Sequence, residues 1–389
     1  MLAVGGEGDD SFEARLTTPT WEHDTDAQQI LTRHRPAPDD VTQLIYTSGT
    51  TGESKGVMHS ANTTMSNIVP YAERLRLTGD DVVLMASPMA HQTGFLYGLM
   101  MPIMLKASAV LQDIWDPARA IDLIREEGVT FTMASTPFLT DLARTVAQTK
   151  NAIPSLRIFL CAGAPIPGPL VEQARAALGA KIVSAWGMTE NGAVTTTLLD
   201  DDDERSINTD GIALPGMEIA IVDNDDKPLG TGDVGRLLVR GCSNFGGYLK
   251  RPKLNNTDAQ GWFDTGDLAY LDERGYIRIS GRTKDVIIRG GENIPVVEVE
   301  SLLYRHPAVA QAAIVAYPDQ RLGERACAFV VPKPGQSIDF ASMIEFLKAQ
   351  KLAAQYMPER LEVRDVMPAT PSGKIQKFKL REILKNEAT

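Results

Sequence analysis

Apolar runs alternate with amphipathic stretches through the first half of the chain. The strand-like runs are "DVVLMASP" at 81–88, "VTFTMAS" at 129–135, "SLRIFLCA" at 155–162 and "KIVSAWGM" at 181–188. Between them lie helical patterns such as "PARAIDLIREEG" at 117–128, which closes on a glycine, a common helix stop. Strands that alternate with helices predict an α/β fold with a largely parallel sheet covered on both faces.

Two further stretches extend this pattern toward the N-terminus. The β-branched and aromatic run "VTQLIYT" at 41–47 predicts a strand that ends at a glycine-rich loop, and a helical pattern follows over about 60–77. The longest apolar stretch, "GFLYGLMMPIML" at 94–105, is cut off by a lysine and is too short to span a bilayer. We therefore expect a buried helix there.

The pattern changes after about Asp210. Short strands separated by Asp, Asn and Gly turns predict a small β-barrel-like or hairpin subdomain, which continues through "GYIRISGRTKDVIIRGGENI" at 275–294. From about Pro295 a separate α+β pattern begins, with helices predicted at 296–306 and 339–349 and strands near 309–317, 325–332 and 361–366. The boundary falls near 281–285, which predicts a large domain over 1–281 and a small one over 282–389.

Composition narrows the function classes. The 389 residues are 43% hydrophobic and 23% charged with a net charge of −11, so no general basic field would attract nucleic acid or an acidic membrane. Three scattered cysteines without metal spacing indicate a reducing compartment. The first residues turn acidic too early for a signal peptide, so we expect a cytoplasmic protein without integral membrane association. The acidic run at 200–204 is typical of a solvated loop rather than a cation site.

The loop "IYTSGTTGESKG" at 45–56 has the composition of a phosphate-binding loop. It fails the P-loop NTPase pattern, which needs a glycine directly before the lysine and a hydroxyl residue directly after it. Glycines nevertheless free backbone N–H groups for phosphate oxygens, hydroxyls add donors and Lys55 adds charge. A plain linker is the alternative, but the preceding apolar strand argues against it. The candidate residues are Thr47, Ser48, Gly49, Thr50, Thr51, Gly52 and Lys55.

Three other stretches carry candidate chemistry. Asp267 follows a tight turn and could accept hydrogen bonds from ribose hydroxyls, with Arg282 on the next hairpin; a turn residue and a surface cation are the alternatives. Thr189 and Glu190 end a strand, where ligands bind in open α/β sheets, and the glutamate suits Mg²⁺; a helix N-cap pair is the alternative. Lys374 lies on a glycine turn near the C-terminus and in isolation is a surface lysine.

In this order and spacing the motifs resemble the adenylate-forming superfamily, which includes acyl-CoA synthetases, peptide-synthetase adenylation domains and beetle luciferases. The resemblance runs from about Val41 to Lys377 and is strongest toward medium-chain or alicyclic acyl-CoA synthetases. It implies a small mobile C-terminal domain, and it implies ATP, Mg²⁺ and CoA as cofactors with a small carboxylic acid as substrate. It further implies adenine contacts from Gly163, Ala164 and Pro165, and a motif formed by Trp186, Gly187, Met188, Thr189 and Glu190.

The resemblance also implies individual roles. Thr189 would meet the α-phosphate, Glu190 would hold Mg²⁺, Asp267 would bind ribose with Arg282 as its partner, and Lys284 would be the hinge. Lys374 matches the mobile catalytic lysine. His91 matches a residue that shields the acyl pocket and later the acceptor channel, with a core histidine as the alternative, and Gly291 falls in a segment close to a pantetheine arm.

Substrate and acceptor remain open at this stage. Acetyl-specific relatives carry Trp where this chain has Gly187, so we expect an open pocket floor and acids larger than acetate. The acceptor is CoA or a carrier protein, and the absence of a fused carrier domain favours CoA. A luciferase-type oxygenase is a weaker alternative.

The N-terminal segment departs from the family pattern. Only some forty residues precede the phosphate loop, so we expect an incomplete first subdomain. The alternative from another functional class is a catalytically weak nucleotide-binding remnant. A homo-oligomer is left open.

Overall fold

A computed structural model describes residues 11, 26–47, 54–163, 166, 168–370 and 373–387. A short helix, α1 (Ala27–Arg33), precedes an antiparallel hairpin of β1 (Val41–Thr47) and β2 (Lys55–Ser60), and helix α2 (Ala61–Arg74) follows. The predicted strand and helix are confirmed, but a second strand lies between them. The glycine-rich loop predicted to bind phosphate therefore joins the two strands of a hairpin, and its residues 48–53 lie outside the described residues.

Seven strands form the main sheet within the described part of the chain. In chain order they are β3 (Val82–Met85), β4 (Ser108–Leu111), β5 (Phe131–Ala134), β6 (Ile158–Ala162), β7 (Lys181–Met188), β8 (Gly192–Thr196) and β9 (Ile212–Ala213). The spatial order is β4-β3-β5-β6-β7-β8-β9. The pairs from β4 to β7 are parallel, whereas β8 and β9 add antiparallel edges. The predicted largely parallel sheet is confirmed.

Helices cover both faces of the main sheet, as predicted. They are α3 (Met101–Leu105), α4 (Pro117–Glu127), α5 (Thr136–Thr149), α6 (Gly168–Leu178) and α7 (Asp203–Asn208). Helix α2 packs on one face with the 94–105 segment, while α4, α5 and α6 pack on the other face. Helix α4 shows how the sequence sets its own bounds. The Asp116 side chain accepts hydrogen bonds from two N–H groups of the first turn, and Gly128 ends the helix in the left-handed conformation at φ 66°.

The apolar 94–105 segment is helical and largely buried, as expected. It begins as a π-helix over Gly94–Met100 and continues as α3, which stops where Lys106 adopts a left-handed conformation. In the part of the chain that the structure describes, no helix is long and apolar enough to cross a membrane.

The segment after Asp210 forms an open antiparallel sheet rather than a barrel. Its strands are β10 (Met217–Val222), β11 (Gly235–Gly241), β12 (Phe263–Leu271) and β13 (Ile277–Arg282). They pair in chain order, so the hairpin expectation is confirmed and the barrel-like expectation is wrong. The buried face of this sheet joins the same apolar core as one face of the main sheet. That shared core fixes β12 next to the end of β7.

A smaller C-terminal domain follows a single 3-10 turn at Thr283–Asp285. Its elements are β14 (Ile287–Arg289), β15 (Glu292–Ile294), α8 (Val296–Tyr304), β16 (Val309–Asp319), β17 (Gly323–Pro332), α9 (Phe340–Ala349), β18 (Arg360–Val363) and α10 (Lys377–Glu387). One face of its sheet packs on α8 and α9, and the other packs on α10.

Two features of this domain differ from the sequence prediction. Strands β14 and β15 join the C-terminal sheet rather than the preceding β subdomain. Helix α10 went unpredicted because its mainly polar sequence buries only a narrow stripe, with Leu380 and Leu384 under the sheet. The boundary between 281 and 282 stays a prediction.

Candidate active site

Asp267 and Arg282 pair across neighbouring strands of the antiparallel sheet. They are direct cross-strand partners in β12 and β13, and Arg282 Nε lies 2.9 Å from Asp267 Oδ1. The indole Nε1 of Trp186, on β7, donates a 2.9 Å hydrogen bond to Asp267 Oδ2. The carboxylate is only 4% exposed, so neither a loose turn residue nor a free surface cation describes this pair. The sequence prediction that these two residues lie together therefore holds in the structure.

One oxygen of Asp267 remains available to a ligand. Although Arg282 is close to Oδ1, the contact lacks hydrogen-bond geometry, and this buried oxygen accepts no hydrogen bond from the described residues. A buried carboxylate oxygen without a donor is costly unless a ligand supplies one. Vicinal ribose hydroxyls are donors of the right kind. The residues present therefore fit a nucleoside.

The turn at Thr189–Asn191 connects β7 to β8 and does not begin a helix, so the N-cap alternative is wrong. His59 Nε2 donates a 2.8 Å hydrogen bond to the Thr189 carbonyl oxygen. The Asn191 side chain accepts a 3.2 Å hydrogen bond from Met188 N. These bonds hold the turn from both sides, which fixes the direction of the two candidate side chains.

Glu190 lies in a pocket shared with Tyr248 and Lys55. It is 6% exposed, and its Oε1 accepts a 2.7 Å hydrogen bond from the Tyr248 hydroxyl. The Lys55 ammonium lies 4.6 Å from the centroid of the Tyr248 ring. The pKa of Lys55 is lowered by desolvation, while the charge of Glu190 raises it and the charges of Lys284 and Arg251 lower it. The arrangement concentrates positive charge on one side of a buried carboxylate.

Glu190 also fits a magnesium ion by its chemistry. Its Oε2 has no hydrogen-bond donor among the described residues. The described residues contain no cluster of three or more acidic, histidine or cysteine ligands. One carboxylate suffices for Mg²⁺ when nucleotide phosphates and waters complete the coordination.

Lys374 projects from a tight turn of the C-terminal domain toward the larger domain. Thr370 N donates to the Lys374 carbonyl at 2.9 Å, and Gly373 N donates to the Thr370 carbonyl at 2.8 Å. A Cβ placed on Gly373 would come within 3.2 Å of Pro137 in α5, so the turn sits against the larger domain. The pKa of Lys374 is lowered to about 8, first by the positive charge of Arg282 and then by desolvation. Lys374 therefore lies close enough to Arg282 and Asp267 for their charges to act on it.

His91 lies within range of the Lys374 charge. It is exposed, so the core-histidine alternative is wrong. Its Nδ1 accepts a 3.3 Å hydrogen bond from Thr93 N. The pKa of His91 is lowered by desolvation and then by the charge of Lys374.

Gly187 does not leave an open pocket floor. A Cβ at this position would lie 2.0 Å from the Gly192 carbonyl oxygen across the β7–β8 hairpin. The register shifts at Trp186/Gly187, and the bulge brings the two backbones together. Glycine is needed there for packing against the partner strand, and the expectation of acids larger than acetate stays a prediction. A groove of about 380 Å³ lies elsewhere, lined by Phe95, Met89 and residues of β1.

Some of the remaining predicted residues are described by the structure, and the others lie outside the described residues. Thr47 Oγ1 lies 3.5 Å from the Lys55 carbonyl oxygen at the end of the β1–β2 hairpin. Gly163 directly follows β6 with φ 90°, and a Cβ added there would meet open space. Lys284 occupies the turn between the domains, and Gly291 is an exposed turn residue of the β14–β15 hairpin. Ser48, Gly49, Thr50, Thr51, Gly52, Ala164 and Pro165 lie outside the described residues.

Sequence reasoning missed His59, Tyr248 and Asn67. Asn67 is buried in α2 and donates hydrogen bonds to the Asn191 and Ala193 carbonyl oxygens, at 3.1 and 2.7 Å. His59 and Asn67 are polar residues at buried positions of a strand and a helix, a pattern that could have singled them out. Tyr248 gives no such signal, because its role depends on partners distant in the sequence.

Comparisons with known proteins agree with this geometry. The AMP-binding enzyme family matches residues 7–249, and the AMP-binding enzyme C-terminal domain matches residues 298–374. The medium-chain fatty-acid–CoA ligase of Escherichia coli K12 is 40% identical over 90% of this chain and 62% of its own length. The 3-[(3aS,4S,7aS)-7a-methyl-1,5-dioxo-octahydro-1H-inden-4-yl]propanoyl:CoA ligase of Rhodococcus jostii RHA1 is 34% identical over 93% of this chain and 68% of its own length.

A solved structure is similar to this chain in fold. The crystal structure of ATP-bound MatB from Rhodopseudomonas palustris superposes with a TM-score of 0.85 at 33% identity, covering 91% of this chain and 70% of that one. The chain thus spans between 62% and 70% of the length of these three relatives.

Proposed function

The chain belongs to the family of AMP-binding enzymes, and on that premise we propose that it is an AMP-forming acyl-CoA synthetase. It would join a carboxylic acid to ATP as an acyl adenylate with release of pyrophosphate, and then pass the acyl group to the thiol of CoA. The observation that carries the proposal is the position of Lys374. A lysine from the C-terminal domain lies beside the Asp267–Arg282 pair, where the nucleotide would be bound.

The first step needs charge neutralisation and alignment. The acid carboxylate attacks the α-phosphorus of ATP, and both partners are anions. Asp267 accepts the ribose hydroxyls through Oδ1 and holds the nucleotide for in-line attack. Lys374 donates to the oxygens that gain charge, and Lys55 draws the outer phosphates toward the hairpin. Bound at Glu190 and the phosphates, Mg²⁺ would neutralise charge on the leaving pyrophosphate.

The second step needs the same space for a thiol. Lys374 and His91 lie where an acceptor would approach, so the turn that carries Lys374 must withdraw. Lys284 lies in the single turn between the two domains, and rotation there would move Lys374 without disturbing Asp267. Rotation could bring Gly291 toward the cleft in its place.

The acid is proposed to be medium-chain or alicyclic. Support comes from the two ligases above and from the apolar groove at Phe95, not from Gly187. CoA is proposed as the acceptor because both ligases are named for it; a holo carrier protein is the competing acceptor.

Product analysis tests the proposal. The chain is incubated with MgATP, CoA and a pool of C2 to C12, alicyclic and aromatic acids, and products are identified by mass spectrometry. We expect AMP, pyrophosphate and an acyl-CoA in equal amounts. Formation of ADP and phosphate would contradict it, and acyl transfer only to a holo carrier protein would replace CoA as the acceptor.

A further inference from the structure

Tyr248 touches both charged groups that flank the phosphate site, and we propose that it is a positioning residue for MgATP. The inference rests on the proposed function. The Tyr248 hydroxyl donates a 2.7 Å hydrogen bond to Glu190 Oε1, and the Lys55 ammonium lies over the ring at 4.6 Å from its centroid. One side chain therefore fixes a carboxylate through its edge and a cation through its face.

The ring is held rigidly in place. Tyr248 is 4% exposed and packs edge-on against Phe245, with 4.8 Å between ring centroids. Phe245 N donates a 2.8 Å hydrogen bond to the Glu190 carbonyl oxygen, and Leu249 N donates one of 2.8 Å to the Gly56 carbonyl oxygen. The segment 245–249 is thus bonded to the Glu190 turn on one side and to β2 on the other.

Tyr248 also keeps the two charges apart. Lys55 and Glu190 are both described, and they form no direct ion pair. A lysine and a glutamate in contact would neutralise each other and compete with their ligands. Because Lys55 contacts the ring and Glu190 Oε1 contacts the hydroxyl, each charged group has Tyr248 as a partner, which leaves the Lys55 charge for phosphate and Glu190 Oε2 for a cation. The structure assigns the tyrosine the role of a spacer as well as a hydrogen-bond donor.

The two roles can be separated by substitution. Tyr248→Phe removes the hydroxyl and keeps the spacer, so it loosens Glu190 alone. Tyr248→Leu removes the spacer as well and lets Lys55 approach Glu190. Tyr276→Phe is a matched control, because its hydroxyl donates to Asp201 at 2.9 Å and the Arg205 guanidinium lies 4.8 Å from its ring centroid, away from the candidate active site.

The experiment is isothermal titration of the chain with ATP, once in excess Mg²⁺ and once in EDTA. For Tyr248→Phe we expect the gain in ATP affinity from Mg²⁺ to fall about tenfold, while affinity in EDTA stays within about twofold. Tyr248→Leu weakens binding in both buffers, and Tyr276→Phe changes neither. In a Glu190→Gln background, Tyr248→Phe has no further effect on the Mg²⁺ gain.

Three outcomes are decisive against the proposal. Tyr248→Phe matching Tyr276→Phe overturns the role of the hydroxyl, and equal losses in both buffers overturn its link to the cation. If Tyr248→Phe lowers the Mg²⁺-dependent gain in ATP affinity as much in the Glu190→Gln background as in the unmodified chain, its action through Glu190 is overturned. If the unmodified chain binds no ATP in either buffer, the proposed function fails together with this inference.

Discussion

Asp267 and Arg282 face each other across two antiparallel strands, with 2.9 Å between Arg282 Nε and Asp267 Oδ1. Trp186 holds the other carboxylate oxygen from the main sheet. The pair therefore lies where the two sheets meet, and Lys374 reaches it from the C-terminal domain.

Asp267→Asn should weaken nucleotide binding. The amide keeps the shape of the carboxylate but removes the charge that accepts ribose hydroxyls and balances Arg282. We expect KM for ATP to rise about 10- to 100-fold, since losing a hydrogen bond to a charged group costs about 1.5–3 kcal/mol. Asp264→Asn is the control, because Asp264 lies on the same strand as Asp267, β12, and also pairs with an arginine: Arg236 of β11, at 2.7 Å. Equal KM values for the two variants would contradict the role of Asp267.

Adenylation should fall as pH rises above about 8. Lys374 acts protonated, and its pKa is lowered to about 8, chiefly by Arg282. The kcat/KM for ATP reports the free enzyme, so its alkaline limb should follow this pKa. Arg282→Gln removes the largest cause, so the limb should move to higher pH even though overall activity drops. Arg278→Gln, on the same strand, should leave it in place. A limb that Arg282→Gln does not move would contradict the assignment.

His59 should make the fold sensitive to acid. It is 1% exposed, and desolvation lowers its pKa below the ordinary 6.5. Below pH 6.5 the unfolded chain takes up a proton that the folded chain resists, so stability falls as pH drops toward the folded pKa. His59→Asn should reduce the loss in free energy of unfolding between pH 7 and pH 5, by up to about 1.4 kcal/mol per unit of pKa shift. Urea unfolding measures this, with exposed His34→Asn as the control; an unchanged pH dependence would count against His59.

Gly187→Ala should destabilise the turn that carries Thr189 and Glu190. The added Cβ would meet the Gly192 carbonyl oxygen at 2.0 Å, and overpacking of this kind costs about 1–3 kcal/mol. Gly128→Ala is the comparison, since its Cβ would meet open space and only its left-handed φ is strained, at about 1–2 kcal/mol. We expect Gly187→Ala to lose adenylation as well as stability, whereas Gly128→Ala keeps its activity. Urea unfolding measures the stability of both variants, and a Gly187→Ala variant as stable as the unmodified chain would contradict the packing role of Gly187.

The sequence predicted much of this arrangement, for physical reasons that also explain its failures. Helix α4 carries its cap, its apolar face and its terminal glycine in thirteen consecutive residues, so local patterns define it. Asp267 and Arg282 lie on one hairpin, and their proximity follows from short-range pairing. His59 and Thr189 are separated by 130 residues, and nothing local to either one indicates that contact.

Other failures come from distant backbone contacts. Nothing in the residues around Gly187 indicates a close contact, yet the backbone of the partner strand occupies the space that a side chain at this position would need. Strands β14 and β15 resemble the hairpins before them in composition, and only tertiary packing assigns them to the C-terminal sheet.

The most direct test is acid-dependent exchange of pyrophosphate into ATP by the unmodified chain beside Lys374→Ala. The account predicts exchange that requires a carboxylic acid and Mg²⁺ and falls at least about 100-fold in the variant. Isothermal titration should show that Lys374→Ala still binds ATP, because Asp267 and Lys55 remain. Equal exchange by both proteins, or none from an unmodified chain that binds MgATP, would contradict the account.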